Sequence, residues 1–282
     1  MIKTIAVVGA GTMGSGIALA AALSGYKLIL CDINPAVVQS AKTIIDSNLQ
    51  FLIGKEKISA EKANECMGRI HFTSSVSDCT ADLVIEAIVE KAGPKEELFL
   101  QLAVINPVET ILASNTSSLS ISTIQKNIPN PGRVAGMHFF NPAHIMKLVE
   151  VVKGKQTDDA TVETLVELCK QMNKVAVSCN DAPGFIVNRV ARHYYLQAMS
   201  LLEQNVATIE DIDAAMESAG FKMGPFKLMD LIGMDVNLAV STSLYEAFDQ
   251  APRFAPSQIQ IDKVQKGELG RKTGQGFYNY KA

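Results

Sequence analysis

The first part of the chain, from residue 2 to about residue 177, alternates short apolar runs with longer amphipathic stretches. Short apolar runs are typical of buried strands, and apolar residues at helical spacing are typical of amphipathic helices. The alternation indicates strand–helix–strand crossovers and therefore an α/β fold with a mostly parallel sheet. The predicted strands have the sequences IKTIAVVG, YKLILCD, ADLVIEA, TILAS, RVAGMHFF and KLVEVV. The predicted helices span residues 12–24, 35–52, 60–67 and 95–102.

The segment between residues 35 and 67 is long for a single crossover. Its sequence includes NLQFLIGKEKISAEKANE, which predicts a helical hairpin that projects from the sheet. The tip of this hairpin is basic, with Lys55 and Lys57. Such a tip is more often a solvated charged loop than a binding site, and both interpretations stay open from the sequence.

The pattern changes after the sequence SCNDAPGF, because from residue 184 onwards apolar residues recur at helical spacing. The turn that starts at Asp181 has the sequence DAPG and is the predicted hinge. Pro183 suits the first turn of a helix, where its missing N–H costs nothing. We therefore predict two domains, an α/β domain over residues 1–182 and an all-helical domain over residues 183–282.

Composition and charge exclude several classes of protein. Hydrophobic residues make up 48% and charged residues 20%, which is ordinary for a globular fold. The formal net charge of −3 and the lack of a long basic run argue against nucleic acid as a partner. Five scattered cysteines favour reduced thiols. No secretory signal or run of about 20 apolar residues is present, which predicts a cytoplasmic protein that does not contact membranes.

A glycine-rich turn follows the first predicted strand, in the sequence IAVVGAGTMGSGIA. Gly9 permits a tight turn, Gly11 lets a pyrophosphate approach the backbone, and Gly14 lets the helix pack closely on the strand. The N-terminus of the following helix presents N–H groups and a positive dipole end to the phosphates. The predicted dinucleotide contacts of this turn are Gly9, Ala10, Gly11, Thr12, Met13 and Gly14.

Asp32 ends the second predicted strand, about eighteen residues beyond the last glycine of the turn. A carboxylate there accepts from the ribose hydroxyls of the adenosine and repels a 2′-phosphate. The combination predicts a Rossmann-type domain that binds NAD(H) in preference to NADP(H). The alternative is a structural glycine turn followed by a surface aspartate.

The stretch HFFNPAHIMKLVEV contains the candidate acid–base couple, His138 and Glu150. The Asn141-Pro142-Ala143 turn between the two predicted strands lets Glu150 fold back beside the histidine. Imidazole suits proton transfer near neutral pH, and a carboxylate on its far nitrogen would orient it. The alternative is a buried strand pair with two incidental polar side chains.

The remaining histidines lack such a setting, and His144, past Pro142 in the turn, is predicted to be exposed. No cluster of histidines and carboxylates has the spacing of metal ligands, so we predict no metal. Before the histidine strand, the loop LASNTSSLSI offers Asn115 and Ser117 to a substrate oxygen or to the nicotinamide. Helix capping by Ser117 or Ser118 is the alternative role of this loop.

Taken in order, six motifs resemble the short-chain L-3-hydroxyacyl-CoA dehydrogenases, a family that includes bacterial 3-hydroxybutyryl-CoA dehydrogenases. The motifs cover essentially the whole chain and are GAGTMGSGIA, VIEAIVE, SNTSSLSI, HFFNPAHIMKLVEVV, DAPGFIVNR and GRKTGQGFYNY. The resemblance implies that His138 is the base and that Glu150 orients it. It also implies that Ser117 and Asn188 lie near the substrate's hydroxyl or thioester oxygen and that Asn141 supports the site. From the residues alone, Asn188 would be a helix-surface amide.

The resemblance also implies further contacts with the cofactor and with coenzyme A. Cofactor contacts outside the glycine turn are Asp32, Glu90, Lys95, Asn115, Ser117, Asn141 and Lys272. The helical hairpin would bind the phosphates of coenzyme A, with Ser47 and Lys55 as the nearest counterparts. The second domain would complete the substrate cleft and form a homodimer.

Two parts of the chain depart from the family pattern. His193 stands where a proline is usual, which predicts a different local helix geometry. Two segments, FKMGPFKLMDLIGMDVN and APSQIQIDKVQKGELGRKTGQGFYNY, resemble members that act in phenylacetate or adipyl-CoA breakdown more than the fermentative butyryl enzymes, and they keep both acyl groups open.

The sequence therefore predicts reversible NAD-dependent oxidation of a short-chain (S)-3-hydroxyacyl-CoA, such as 3-hydroxybutyryl-CoA. A 3-hydroxyadipyl-CoA dehydrogenase is the alternative within the same chemistry. A hydroxy-acid dehydrogenase would use a lysine base on the first long helix of the second domain, where this chain has Asn188. A non-catalytic dinucleotide-binding protein would not need the His138 and Glu150 pair.

Overall fold

A computed structural model describes residues 2–280 of the chain. The chain divides into two units, with the boundary between Ala182 and Pro183. Each unit has its own cluster of buried apolar side chains.

The first unit contains one eight-stranded sheet. Its strands are β1 (Thr4–Val8), β2 (Lys27–Cys31), β3 (Ile70–Thr73), β4 (Leu83–Glu86), β5 (Ile111–Ser114), β6 (Val134–Phe139), β7 (Leu148–Lys153) and β8 (Val175–Asn180). The strand order is β3-β2-β1-β4-β5-β6-β7-β8. Strands β1 to β6 are parallel, β7 is antiparallel to β6, and β8 is parallel to β7. The prediction of a mostly parallel Rossmann-type sheet is confirmed.

Six helices belong to the first unit and five to the second. The first six are α1 (Thr12–Leu23), α2 (Pro35–Gly54), α3 (Ala60–Gly68), α4 (Ala92–Ile105), α5 (Ile121–Ile124) and α6 (Asp159–Gln171). The others are α7 (Val187–Glu203), α8 (Ile209–Ser218), α9 (Pro225–Ile232), α10 (Met234–Ala247) and α11 (Gln258–Gln265). Helix α4 begins three residues before the predicted start, because Pro94 is tolerated in the first turn of a helix.

Strand order reverses at the centre of the sheet, where β1 lies between β2 and β4. In open α/β sheets, ligands bind outside the carboxyl ends of the strands at such a reversal. Helix α1 starts at this point and is buried from Gly14 to Ala22, so its small side chains let it lie close to the sheet. The sheet therefore places the glycine turn, and the ends of β1 and β4, at one edge.

The predicted helical hairpin corresponds to α2 and α3. Ala41, Ile45 and Leu49 recur at a spacing of four along α2 and are buried in the core of the first unit, together with Cys66 of α3. The basic tip, with Lys55 and Lys57, is exposed. One face of the hairpin is thus part of the core, and its far end is solvated.

The second unit consists mainly of helices, as predicted. Two buried aspartates bind backbone N–H groups within it. Asp213 of α8 accepts from Phe226 at 2.9 Å, and Asp230 of α9 accepts from Phe277 and Tyr278 at 2.9 Å each. The bond of Asp213 joins α8 to the start of α9, and the bonds of Asp230 attach the last segment of the chain to α9. Among residues 2–280, no helix has the length and apolar character needed to cross a membrane.

Candidate active site

The glycine turn between β1 and α1 has the geometry of a phosphate cradle. Gly9 has a φ of +103°, and a Cβ atom there would collide with the carbonyl oxygen of Ala87. A Cβ atom on Gly14 would collide with the carbonyl oxygen of Gly9, so both positions require glycine. At Gly11 no atom lies within 4 Å of the place of a Cβ, and no side chain caps the helix here. The turn therefore leaves open space in front of a helix N-terminus, which fits the pyrophosphate of a dinucleotide.

Asp32 lies directly beside this turn, because β1 and β2 pair with Val8 opposite Cys31. Its carboxylate accepts hydrogen bonds from the backbone N–H of Ala10 at 2.9 Å and of Asn34 at 3.0 Å. The side chain is half-buried and is held at the end of β2 by both bonds. A carboxylate in this place fits the ribose hydroxyls of an adenosine and disfavours an added phosphate.

His138 and Glu150 form a buried pair at the junction of β6 and β7. The antiparallel register places the two residues directly opposite each other, and Nδ1 of His138 lies 2.8 Å from Oε2 of Glu150. Their exposed fractions are 6% and 1%. A carboxylate bonded to Nδ1 holds the proton there, so Nε2 is the nitrogen with basic character. The contact proposed from the turn sequence is present.

One aromatic ring contacts His138, and one amide side chain bonds the backbone next to it. The rings of His138 and Phe140 lie 4.5 Å apart at an angle of 50°. The side-chain oxygen of Asn115 accepts from the backbone N–H of Phe139 at 2.8 Å. Asn115 was predicted to offer its side chain to the substrate or the nicotinamide. Its oxygen fixes the end of β6, next to His138, and the predicted contact stays a prediction.

The turn after β6 contains a cis peptide bond between Asn141 and Pro142, and Asn141 is exposed.

His144, which was predicted to be exposed, is half-buried. Burial, and then the charge of Lys174, lower the pKa of His144. Its ring is therefore neutral at pH 7. The Lys174 ammonium donates to two carbonyl oxygens of this turn, on Ala143 at 2.6 Å and Met146 at 2.7 Å.

The loop after β5 converges on the carboxylate of Glu90. One oxygen, Oε1, accepts from Thr116 Oγ1 at 2.6 Å, from the Ser117 N–H at 2.9 Å and from the Ser118 N–H at 3.1 Å. Burial alone would raise the pKa of this carboxyl, yet the Lys95 ammonium and the loop donors hold the pKa below its ordinary value. Glu90 is therefore ionised at neutral pH and orders the loop. Helix capping by Ser117 or Ser118 is wrong, since Ser120 caps α5.

Lys95, predicted as a cofactor contact, is fully buried on α4. Its ammonium bonds Glu86 at 2.6 Å and Glu90 at 3.2 Å. Glu86 and Thr116 were not among the predicted site residues. The sequence does offer one signal for Glu86: it is an acidic residue at the end of the apolar run of β4.

Other predicted site residues lie away from these clusters or in the second unit. Ser47 and Lys55 are exposed near the end of α2, and the Lys55 ammonium lies 5.7 Å from the Phe51 ring. In the second unit, Asn188 lies in the first turn of α7. Lys272, also in the second unit, forms an ion pair with Asp235.

Hydride transfer between an alcohol and a nicotinamide needs a dinucleotide cradle and a proton acceptor in one protein. The first unit supplies both at one edge of its sheet, and its class is therefore that of the Rossmann-type dehydrogenases. Residues 4–182 match the family model of the 3-hydroxyacyl-CoA dehydrogenase NAD binding domain. Residues 184–280 match the 3-hydroxyacyl-CoA dehydrogenase C-terminal domain. The chain belongs to the 3-hydroxyacyl-CoA dehydrogenase family, whose cofactor is NAD.

Similar proteins include members with different substrate names. The chain is 48% identical over 283 residues to a 3-hydroxyadipyl-CoA dehydrogenase of Escherichia coli, and it spans 60% of the length of that protein. It is 41% identical over 290 residues to the mitochondrial hydroxyacyl-coenzyme A dehydrogenase of Mus musculus, with all of this chain and 92% of the mouse protein covered. The structure of an (S)-3-hydroxybutyryl-CoA dehydrogenase from Ralstonia eutropha matches with a TM-score of 0.95 and 38% identity, over 100% of both chains.

Proposed function

We propose that the protein catalyses the reversible NAD-dependent oxidation of (S)-3-hydroxyacyl-CoA to 3-ketoacyl-CoA. The observation that carries the proposal is the buried pair of His138 and Glu150, 2.8 Å apart, in a domain that matches the family's NAD-binding domain. Binding of a dinucleotide alone does not require such a pair, whereas alcohol oxidation requires a base.

The protein's own side chains transfer the proton of the substrate hydroxyl. Nε2 of His138 takes this proton as the C3 oxygen becomes a ketone, and returns it in the reverse direction. The glycine turn and Asp32 would hold NAD, which would supply the hydride acceptor for C3. Glu150 keeps the proton on Nδ1 and stabilises the imidazolium that forms. Because both side chains are buried, their interaction is screened little by water.

Positioning of the substrate and the cofactor is assigned to the residues that the family resemblance indicates. Ser117 and Asn188 would donate hydrogen bonds to the substrate oxygens, and Ser47 and Lys55 would bind the coenzyme A phosphates. Exposure of Lys55 supports this last role, since a phosphate can reach its ammonium. The proposed cofactor contacts are the glycine turn with Asp32, Glu90, Asn115, Ser117, Asn141 and Lys272. Lys95 is fully buried and would act on the cofactor through its ion pair with Glu90.

Two acyl groups are candidates for the substrate. A short chain, as in 3-hydroxybutyryl-CoA, is supported by the similarity to the Ralstonia eutropha protein over both full chains. A 3-hydroxyadipyl group is supported by the 48% identity to the Escherichia coli protein. We propose the short chain as the preferred substrate. The homodimer and the cytoplasmic location remain predictions.

The experiment is to follow NADH absorbance while the protein is mixed with acetoacetyl-CoA, a medium-chain 3-ketoacyl-CoA or 3-oxoadipyl-CoA. Free acetoacetate is the matched control, because it lacks the thioester and the coenzyme A group. We expect NADH oxidation with the thioesters, highest kcat/KM for acetoacetyl-CoA, and none with the free acid. No turnover of any thioester would refute the activity, and a higher kcat/KM for 3-oxoadipyl-CoA would refute the short-chain preference.

A further inference from the structure

Glu86 is a fully buried carboxylate at the end of the central strand β4. Its Oε1 accepts from the Lys95 ammonium at 2.6 Å and from the Ile88 N–H at 2.7 Å. Its Oε2 accepts from the Ser114 hydroxyl at 2.6 Å. Both oxygens are therefore occupied, and the carboxylate connects the ends of β4 and β5 to helix α4. Neither the reaction proposed above nor the resemblance gives this residue a role.

Lys95 connects Glu86 to a second carboxylate. The ammonium is fully buried and lies 2.6 Å from Glu86 and 3.2 Å from Glu90. A buried ammonium is costly unless it is paired and hydrogen-bonded. Glu86 fixes where the ammonium lies, since its own oxygens are held by two other donors, the Ile88 N–H and the Ser114 hydroxyl. Lys95 in turn fixes the second oxygen of Glu90.

Glu90 connects Lys95 to the loop after β5. Its side chain is 37% exposed, and its Oε1 accepts from the backbone N–H groups of Ser117 and Ser118 and from the hydroxyls of Thr116, Ser117 and Ser118. A carboxylate with this many donors on one oxygen determines the backbone path of the loop. The series Glu86–Lys95–Glu90 thus runs from the core to Ser117.

We propose that Glu86 is a positioning residue for the reaction: acting through Lys95 and Glu90, it fixes the place of Ser117, the proposed hydrogen-bond donor to the substrate. The inference rests on the proposed function for the role of Ser117, but the order of the loop can be measured without turnover.

Arg133 is the control residue, because it is a buried charge that should stabilise the fold without positioning the loop after β5. It is a buried cation of the same unit, and its guanidinium donates to backbone carbonyl oxygens, including Ala103 at 3.2 Å. It lies just before β6, at the amino end of that strand. Removing Arg133 should weaken the fold without an effect on the loop, whereas removing Glu86 should disturb the loop.

The test is amide hydrogen exchange in residues 115–119 of three variants. The variants are Glu86→Gln, the double variant Glu86→Gln/Lys95→Met, and Arg133→Met as the control. In the double variant the fully buried ammonium is removed together with the charge of Glu86, so only Glu90, whose side chain is 37% exposed, loses a counter-ion. Glutamine at position 86 keeps an acceptor for Ile88 and a donor for Ser114. The double variant therefore decides the question if the single variant does not fold.

We expect the exchange of the Ser117 and Ser118 amides to rise about tenfold in the Glu86 variants, the change expected from losing one charge-assisted hydrogen bond. Arg133→Met should leave exchange of these two amides unchanged. Unchanged exchange in a folded Glu86 variant, or an equal rise in Arg133→Met, would overturn the proposal.

Kinetics give the second measurement. With acetoacetyl-CoA and NADH, the double variant should lower kcat/KM, and adding Ser117→Ala should lower it little further, because both changes act on one donor. If the reductions in kcat/KM from the double variant and from Ser117→Ala multiply, Glu86 does not act through Ser117. If the wild-type protein turns over no 3-ketoacyl-CoA, the proposed function fails while the exchange result still decides how the loop is held.

Discussion

The two ends of the sheet in the first unit use polar side chains in different ways. At the amino ends, Asp82 accepts from the backbone N–H groups of Lys3 at 2.7 Å and Thr4 at 2.9 Å. Arg133 donates to backbone carbonyl oxygens just before β6 begins. These charged groups bind the backbone of strands and loops, and their bonds contribute to stability alone.

At the carboxyl ends of β4 and β6, buried ionisable side chains bind other ionisable side chains. His138 near the end of β6 contacts Glu150, and Glu86 at the end of β4 contacts Lys95. Such pairs hold a chosen protonation state and orientation at a considerable desolvation cost. The comparison teaches that the partner of a buried charge, more than its burial, separates groups that hold the fold from groups that can do chemistry.

Replacing His138 should produce the largest effect at the carboxyl ends. His138→Gln removes the base while it keeps a polar side chain of similar length. We expect kcat for acetoacetyl-CoA reduction to fall by roughly 10²- to 10⁴-fold, the usual contribution of general acid–base catalysis. NADH binding, followed by fluorescence, should stay the same. If His138→Gln keeps the wild-type kcat, the buried pair at the carboxyl ends does no chemistry, and the two ends of the sheet do not differ in this way.

Replacing Asp32 should produce a smaller effect, on the choice of cofactor. Asp32→Ser removes the negative charge that would repel a 2′-phosphate and that accepts from the ribose hydroxyls. We expect the ratio of kcat/KM for NADH to that for NADPH to fall by roughly tenfold or more, which corresponds to about 1.4 kcal/mol. An unchanged ratio would show that Asp32 only ties the glycine turn to β2.

Replacing Arg133 should have the smallest kinetic effect and a clear effect on stability. Arg133→Met leaves buried carbonyl oxygens without their donor, which should lower the free energy of unfolding by roughly 1–3 kcal/mol. Chemical denaturation measures this change. Since Arg133 lies at the amino ends, kcat and KM should stay within about twofold of the wild type. A loss of kcat in the folded variant would contradict the comparison.

Much of the candidate site could be predicted because it depends on local sequence. Gly9, Gly11 and Gly14 follow an apolar run directly, and Asp32 ends the next one. The pairing of His138 with Glu150 also follows from local sequence, since a short turn between two strands sets the register.

The link from Glu86 to Ser117 could not be predicted in this way. It depends on α4 beginning at Ala92, which puts Lys95 in the first turn of that helix, and on the packing of α4 beside β4 and β5. These are tertiary effects that apolar periodicity does not report. Strands β3 and β8 were not among the predicted strands for a related reason. Strand β8 is half or fully exposed at every position, and its apolar run is only the first three residues, VAV.

The most direct test of the central claim is a double-mutant cycle on kcat with His138→Gln, Glu150→Gln and the double variant. Glutamine at position 150 still accepts a hydrogen bond from Nδ1 but cannot stabilise an imidazolium by its charge. If Glu150 acts only through His138, Glu150→Gln alone should lower kcat by roughly 10²-fold, and the double variant should be no slower than His138→Gln. Reductions that multiply, in variants that remain folded, would show that the two side chains act independently and would contradict the account.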